Sequence, residues 1–120
     1  MKKLFLAFVC ILGLATTSFS QNEIAAQRAK NLNQVERAAQ SINLDDATVT
    51  KLKKIFQDLY KTQDDINALE NLSPEVRKDR LMKANALKDS KIKELLSDKY
   101  NAYLEAKKKA QLADEAAAKQ

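Results

Sequence analysis

Residues 45–96 read DDATVTKLKKIFQDLYKTQDDINALENLSPEVRKDRLMKANALKDSKIKELL, and their periodicity decides the fold. In the first half, Val49, Leu52, Ile55, Phe56, Leu59, Ile66 and Leu69 recur at steps of three and four. At 100° per residue all seven fall within an arc of roughly 160°, which is one face of a helix. The opposite face, Lys54, Gln57, Lys61, Asp64 and Ala68, is suited to water. At the joint Leu72-Ser73-Pro74, Ser73 is a good N-cap, and Pro74 fits N1, where an N–H would have no helical partner. The proline ring also rejects a helical residue before it, so one helix ends and the next begins within a few residues. The stretch predicts a helical hairpin.

Working outward, residues 23–42 predict an earlier helix with Ile24, Leu32, Val35, Ala39 and Ile42 on a narrow face and Arg28 in its one gap. Asp45 is the expected N-cap of the second helix, with Leu44 before it and Val49 after it as a hydrophobic staple. Asn71 is expected to end that helix near Glu70, in the role Gly often plays. In the third helix Val76, Leu81, Ala84, Leu87, Ile92 and Leu95 form a wider stripe. Leu96-Ser97-Asp98 repeats the break pattern of Leu44-Asp45-Asp46 and Leu72-Ser73-Pro74, which predicts a fourth helix starting at Ser97. Its apolar face is Tyr100, Tyr103 and Leu104, after which residues 107–120 form an Ala/Lys-rich tail, helical or frayed. The expected class is all-α, with three to four helices in a hairpin or cradle arrangement.

Composition narrows the function. The N-terminus reads as a cleaved signal peptide, residues 1–20: Lys2 and Lys3, an apolar run of 11 residues at 4–14, then Ser18 and Ser20 at the small-residue positions. Spanning a bilayer takes about 20 apolar residues, so the run is too short for an anchor. Val9 before Cys10 does not fit a lipidation signal. The expected helical domain is 21–106, and the expected compartment is the periplasm. After residue 20 the chain has neither Cys nor Gly and a single proline, which rules out disulfides there and leaves long helices. Its 19 basic and 16 acidic residues give +3, well mixed in sign, which does not argue for nucleic acid.

No residue set specifies a reaction. There is no His in the chain, and no Cys beyond the signal, to serve as base, thiol or metal ligand. The adjacent pairs Asp45-Asp46 and Asp64-Asp65 point in different directions on a helix and read as a cap and a solvated face. Lys51, Lys53 and Lys54, with Lys107, Lys108 and Lys109, lack interleaved aromatics for single-stranded nucleic acid. They fit solubility, or attraction of acidic proteins or anionic headgroups. The expectation is therefore a non-enzyme without cofactor, metal or nucleic acid.

An exported chain of this size, built from helix–turn–helix units with Leu-(Ser/Thr/Asp) starts, resembles the Spy/CpxP family of periplasmic stress proteins. The resemblance covers residues 43–107 and is carried by Leu44-Asp45-Asp46-Ala47-Thr48 and Leu95-Leu96-Ser97-Asp98-Lys99-Tyr100 with Tyr103. The family signature is Leu-Thr-x-x-Gln. Asp45 and Ser97 replace its Thr, and its Gln position holds Thr48 in the first copy and Tyr100, or Lys99 with a one-residue slip, in the second. Members of that family form thin, curved, often dimeric helical cradles that hold unfolded clients without ATP or damp an envelope stress sensor, and the resemblance implies such a cradle here. The rival reading is a helical interaction protein that regulates one envelope partner, or a coiled-coil envelope component. Binding to a membrane surface is a third.

The export expectation has a direct check. Intact mass of the envelope fraction should give a chain starting at Gln21; a species that retains residues 1–20, or carries lipid on Cys10, contradicts it.

Overall fold

The computed structural model describes residues 20–119, so the expected signal segment lies outside the described residues apart from Ser20. The chain is all-α. Among the described residues four helices follow in order: α1 (Gln21–Ser41), α2 (Asp46–Asn67), α3 (Pro74–Leu96) and α4 (Tyr100–Ala118). A single 3-10 turn, Ser97–Lys99, stands between α3 and α4, and no strand occurs among the described residues.

Two compact units divide the chain, Met1–Lys30 and Asn31–Gln120. In the first, Ser20 opens α1: its hydroxyl accepts from the Glu23 N–H at 3.2 Å and its carbonyl accepts from the Ile24 N–H at 3.1 Å. The second unit holds the remainder of α1 and all the other elements.

Two local devices make the link from α1 to α2. Asn43 adopts φ 60°, a left-handed conformation that Asn tolerates better than most residues. The Leu44 N–H then reaches the Ala39 carbonyl at 3.0 Å, and the Asn43 N–H reaches that of Gln40 at 3.1 Å. This paired pattern is a Schellman close, with its apolar follower Leu44 packed on the core. Asp45 comes next as N-cap, its Oδ1 accepting from the Thr48 N–H at 2.7 Å. Thr48, through its hydroxyl first and its amide second, holds the Asp45 carboxyl below its ordinary range.

Along α2, Val49, Leu52, Phe56, Leu59 and Ile66 are buried, and Ile55 is half-buried. Leu69 departs from the expected stripe and is 44% exposed. The helix stops at Asn67, with Ala68 as its C-cap, so Leu69 no longer follows the helical face. Asn71 does not take the left-handed closing role either, since Asn43 and Ser97 are the positive-φ residues other than glycine. Arg77 of α3 closes this end instead, donating to the Ile66 carbonyl at 2.8 Å and the Leu69 carbonyl at 2.7 Å. The Ile66 carbonyl thus takes a further donor beside the Leu69 N–H at 3.2 Å, and the Leu69 carbonyl just beyond the helix gains one.

Ser73 caps α3, with the Val76 N–H donating to its hydroxyl at 3.2 Å and Pro74 in the first turn. Only Ile92 and Leu96 of this helix are buried. Val76 and Leu87, expected on its buried stripe, are 42% and 56% exposed. At 100° per residue they lie about 140–160° around the helix from Ile92, too far to share its contact.

The fourth helix does not start at Ser97. Leu96 is the last, buried residue of α3, and Ser97 is its C-cap, with φ 50° and ψ −118°. The Ser97 hydroxyl faces back to the Glu94 carbonyl at 3.4 Å, and α4 begins at Tyr100 without a side-chain cap. Sequence spacing could not separate these roles, because a Ser after a Leu suits either end of a helix. No break falls between 106 and 107 either. Helix α4 continues to Ala118, and its Asp114 accepts from Gln34 Nε2 at 2.8 Å and pairs with Arg37 at 2.6 Å.

All four helices supply the core: Val35, Ala38 and Ala39, then Val49, Leu52 and Phe56, then Ile92 and Leu96, and Tyr103. The two alanines let α1 approach closely. Leu52 has no exposed surface, so Leu52→Ala should cost about 2–5 kcal/mol in urea melts. Leu69→Ala and Lys61→Ala should each stay within about 0.5 kcal/mol. Equal costs for Leu52 and Leu69 would contradict this packing.

Candidate functional site

Three helices present the same spacing to one cleft. From α2 come Phe56, Leu59, Tyr60 and Gln63; from α3, Asn85, Lys88, Asp89 and Ile92; from α4, Tyr100, Tyr103, Leu104 and Lys107. Each set is i, i+3, i+4, i+7, the pattern that lines up on one helical face. Asn31 of α1 completes the wall, its amide donating to Tyr60 Oη at 2.6 Å. The cleft encloses about 290 Å³.

Charge is unevenly distributed inside it. Lys88 Nζ lies 5.4 Å and Lys107 Nζ 5.9 Å from the centroid of the Phe56 ring. Both ammonium groups draw on one aromatic face system, the electrostatic attraction of a cation for a ring quadrupole. Lys88 pairs with Asp89 at 2.9 Å. No carboxylate pairs with Lys107 among the described residues. Burial, and then the nearby Lys88 charge, bring the Lys107 ammonium down to about 8. That is what desolvation and a like charge do to a lysine.

Tyr103 is 2% exposed, and its hydroxyl has no protein hydrogen-bond partner. Burial pushes its phenol well above the ordinary tyrosine range, with Tyr60, Tyr100 and Asp89 adding to the shift. Those three neighbours all line the cleft, as Tyr103 itself does.

A second feature runs along the other flank of the α2–α3 pair. Ile55, Ala84, Leu87 and Leu95 floor a shallow groove rimmed by Lys51, Lys54 and Lys91, with Asp58 and Glu94 between them. Asp58 is engaged by Lys54 at 3.4 Å. Large apolar side chains are exposed nearby and elsewhere, among them Met82 at 61% and Leu104 at 44%.

Of the sequence-predicted positions, Leu44, Asp45, Leu72, Ser73, Pro74, Leu96 and Ser97 serve helix ends and none lines the cleft. Phe56 and Leu59 of the core stripe do line it. Lys88, Lys107 and Asn31 were not singled out as a group. Tyr100, Tyr103, Leu104 and Lys107 share a legible face, yet the Lys was read as part of a solvated run. No group of three or more His, Cys, Asp or Glu is placed to hold a metal among the described residues. No helix there is long and apolar enough to cross a membrane. Comparison with protein-family models, curated proteins and solved structures gives no match to this chain. Its chemistry is therefore read from its own residues.

Lys107 makes stability depend on pH in a definite direction. Its folded value, about 8, is below the ordinary 10.5. Between these values the unfolded chain binds more protons, so stability rises with pH across that window. Tyr103 acts oppositely, but only above its ordinary value of 10.0. Urea melts between pH about 8 and 10 should show the rise in wild type and lose it in Lys107→Met. A rise of the same size in both would contradict the burial of Lys107.

Proposed function

We propose that the protein is an exported, ATP-independent, client-binding chaperone of the envelope, acting on unfolded proteins whose exposed segments mix apolar and acidic residues. The observation that carries this reading is the poor coverage of α3. Of its 23 residues only Ile92 and Leu96 are buried, while Val76, Met82 and Leu87 stand in solvent among lysines and arginines.

The physics supports weak, many-partner binding. A helix that buries so little has apolar surface left to offer, and exposed apolar patches mark interaction sites. Leu87 and Ile55 in the groove supply short-range contact, while Lys51, Lys54 and Lys91 attract acidic segments at longer range. The resemblance to the Spy/CpxP family points the same way, and self-association into a homodimer belongs to the same reading. No bound nucleotide is needed for such holding, and the chain offers no catalytic set.

The test is aggregation of two chemically denatured, unrelated clients of opposite net charge, with the protein near stoichiometric and no ATP present. Suppression is expected for both. It should be stronger for the acidic client at low salt and fall with added salt, since exposed charges are screened beyond roughly 8 Å at physiological ionic strength. A Met82→Ser, Leu87→Ser variant should suppress less, with an unchanged urea midpoint. No suppression of either client by folded protein would sink the chaperone reading and favour a regulator of one partner.

A further inference from the structure

We infer that the cleft between α2, α3 and α4 is a receptor site for a small organic carboxylate, whose anionic group meets Lys107, Lys88 and the Tyr103 hydroxyl while its apolar body lies against Phe56 and Leu104. This does not rest on the client-binding reading, which concerns the groove along Ile55, Leu87 and Leu95, although Leu59 and Lys88 line both surfaces.

Three independent observations carry it. First, the charges do not balance: two ammonium groups share the Phe56 ring, and Asp89 at 2.9 Å from Lys88 is the carboxylate lining the cleft. The remaining wall groups, Asn31 and Tyr60, Gln63 and Asn85, and Tyr100, carry no charge to offset Lys107. Holding an uncompensated ammonium in a partly enclosed place is unfavourable, and an incoming anion removes that penalty. Second, Tyr103 lines the cleft and its buried hydroxyl has no protein group to bond, and a buried donor of that kind is costly until something accepts from it. Third, the shape suits more than a bare ion. About 290 Å³ walled by an aromatic ring and a half-exposed leucine is near the lower end of small-molecule sites, and it rewards an apolar body.

A carboxylate there would accept from one phenol and two ammonium groups, with neutral amides at the edge. Lys107 must be protonated to hold it. Burial and then the Lys88 charge on α3 set its protonation, and the other titratable groups lining the cleft are Asp89 on α3, Tyr60 on α2, and Tyr100 and Tyr103 on its own helix. Affinity should therefore fall as pH rises above about 8, where free Lys107 loses its proton.

Phenylacetate, its neutral analogue phenylacetamide, and inorganic phosphate are the probes, titrated into the purified protein and followed by NMR of the Phe56 ring. Phenylacetate should bind saturably with a dissociation constant on the order of 1 mM, as expected for so small a ligand. Phenylacetamide and phosphate should each bind roughly tenfold more weakly, one lacking the charge and the other the apolar body. Lys107→Gln, Lys88→Gln and Tyr103→Phe should each weaken phenylacetate binding, and Lys109→Gln should not. Lys107→Gln and Tyr103→Phe should also keep or raise the urea midpoint, because each removes a buried group that the free protein satisfies poorly. A structural role would lower stability instead. No saturable phenylacetate binding, phosphate binding as tight, or undiminished binding by Lys107→Gln would each overturn the proposal.

Discussion

The break at Ser97 is the constraint on which the rest of this molecule depends. Lys88 and Lys107 are 19 positions apart, and in an unbroken helix that separation is roughly 28 Å. Both ammonium groups instead lie within 6 Å of the centroid of one phenylalanine ring. Only a change of direction between α3 and α4 allows this, and it happens where Ser97 takes φ 50°. A residue other than glycine in such a conformation costs about 1–3 kcal/mol. Leu96 on one side and Tyr103 on the other are both almost fully buried as a result. Burying a large apolar side chain such as Leu96 stabilises by about 1.5–3 kcal/mol, which is comparable with that strain.

What the chain revealed by itself was whatever is decided locally. Asp45 and Ser73 are caps because a short oxygen-bearing side chain stands just before a periodic run, and both run and cap lie within a few residues. Leu52, Phe56 and Leu59 are buried because their spacing already shares a face. The failures share a cause as well. Leu69 and Asn71 depart from expectation because α2 stops at Asn67, and Arg77, ten residues downstream, ties down the Ile66 and Leu69 carbonyls. Ser97 was read as a start because its neighbours match those of a start, whereas burial of Leu96 decides that it is an end. The cleft was invisible for the strongest reason: each wall is an ordinary helical face, and only the turn between α3 and α4 brings them together.

Stability and surface pull against each other here. The α2–α3 hairpin leaves Met82 and Leu87 in solvent, and the cleft keeps Lys107 and the Tyr103 hydroxyl in places where neither is well satisfied. A chain selected for stability alone would replace these groups at little structural cost. The buried core of α1, α2 and Tyr103 supports both surfaces, since Phe56 belongs at once to that core and to the floor of the cleft.

The convergence of three helices on Phe56 is the central claim, and one spectrum addresses it. Phe56 is the only phenylalanine after residue 20, so its ring protons are unambiguous in a chain that begins at Gln21. A nuclear Overhauser spectrum with isotope-labelled lysine should show cross-peaks from that ring to the side-chain methylenes of both Lys88 and Lys107. Cross-peaks to Lys88 with none to Lys107 would mean that α4 does not return over α2, and the account of the cleft would be wrong.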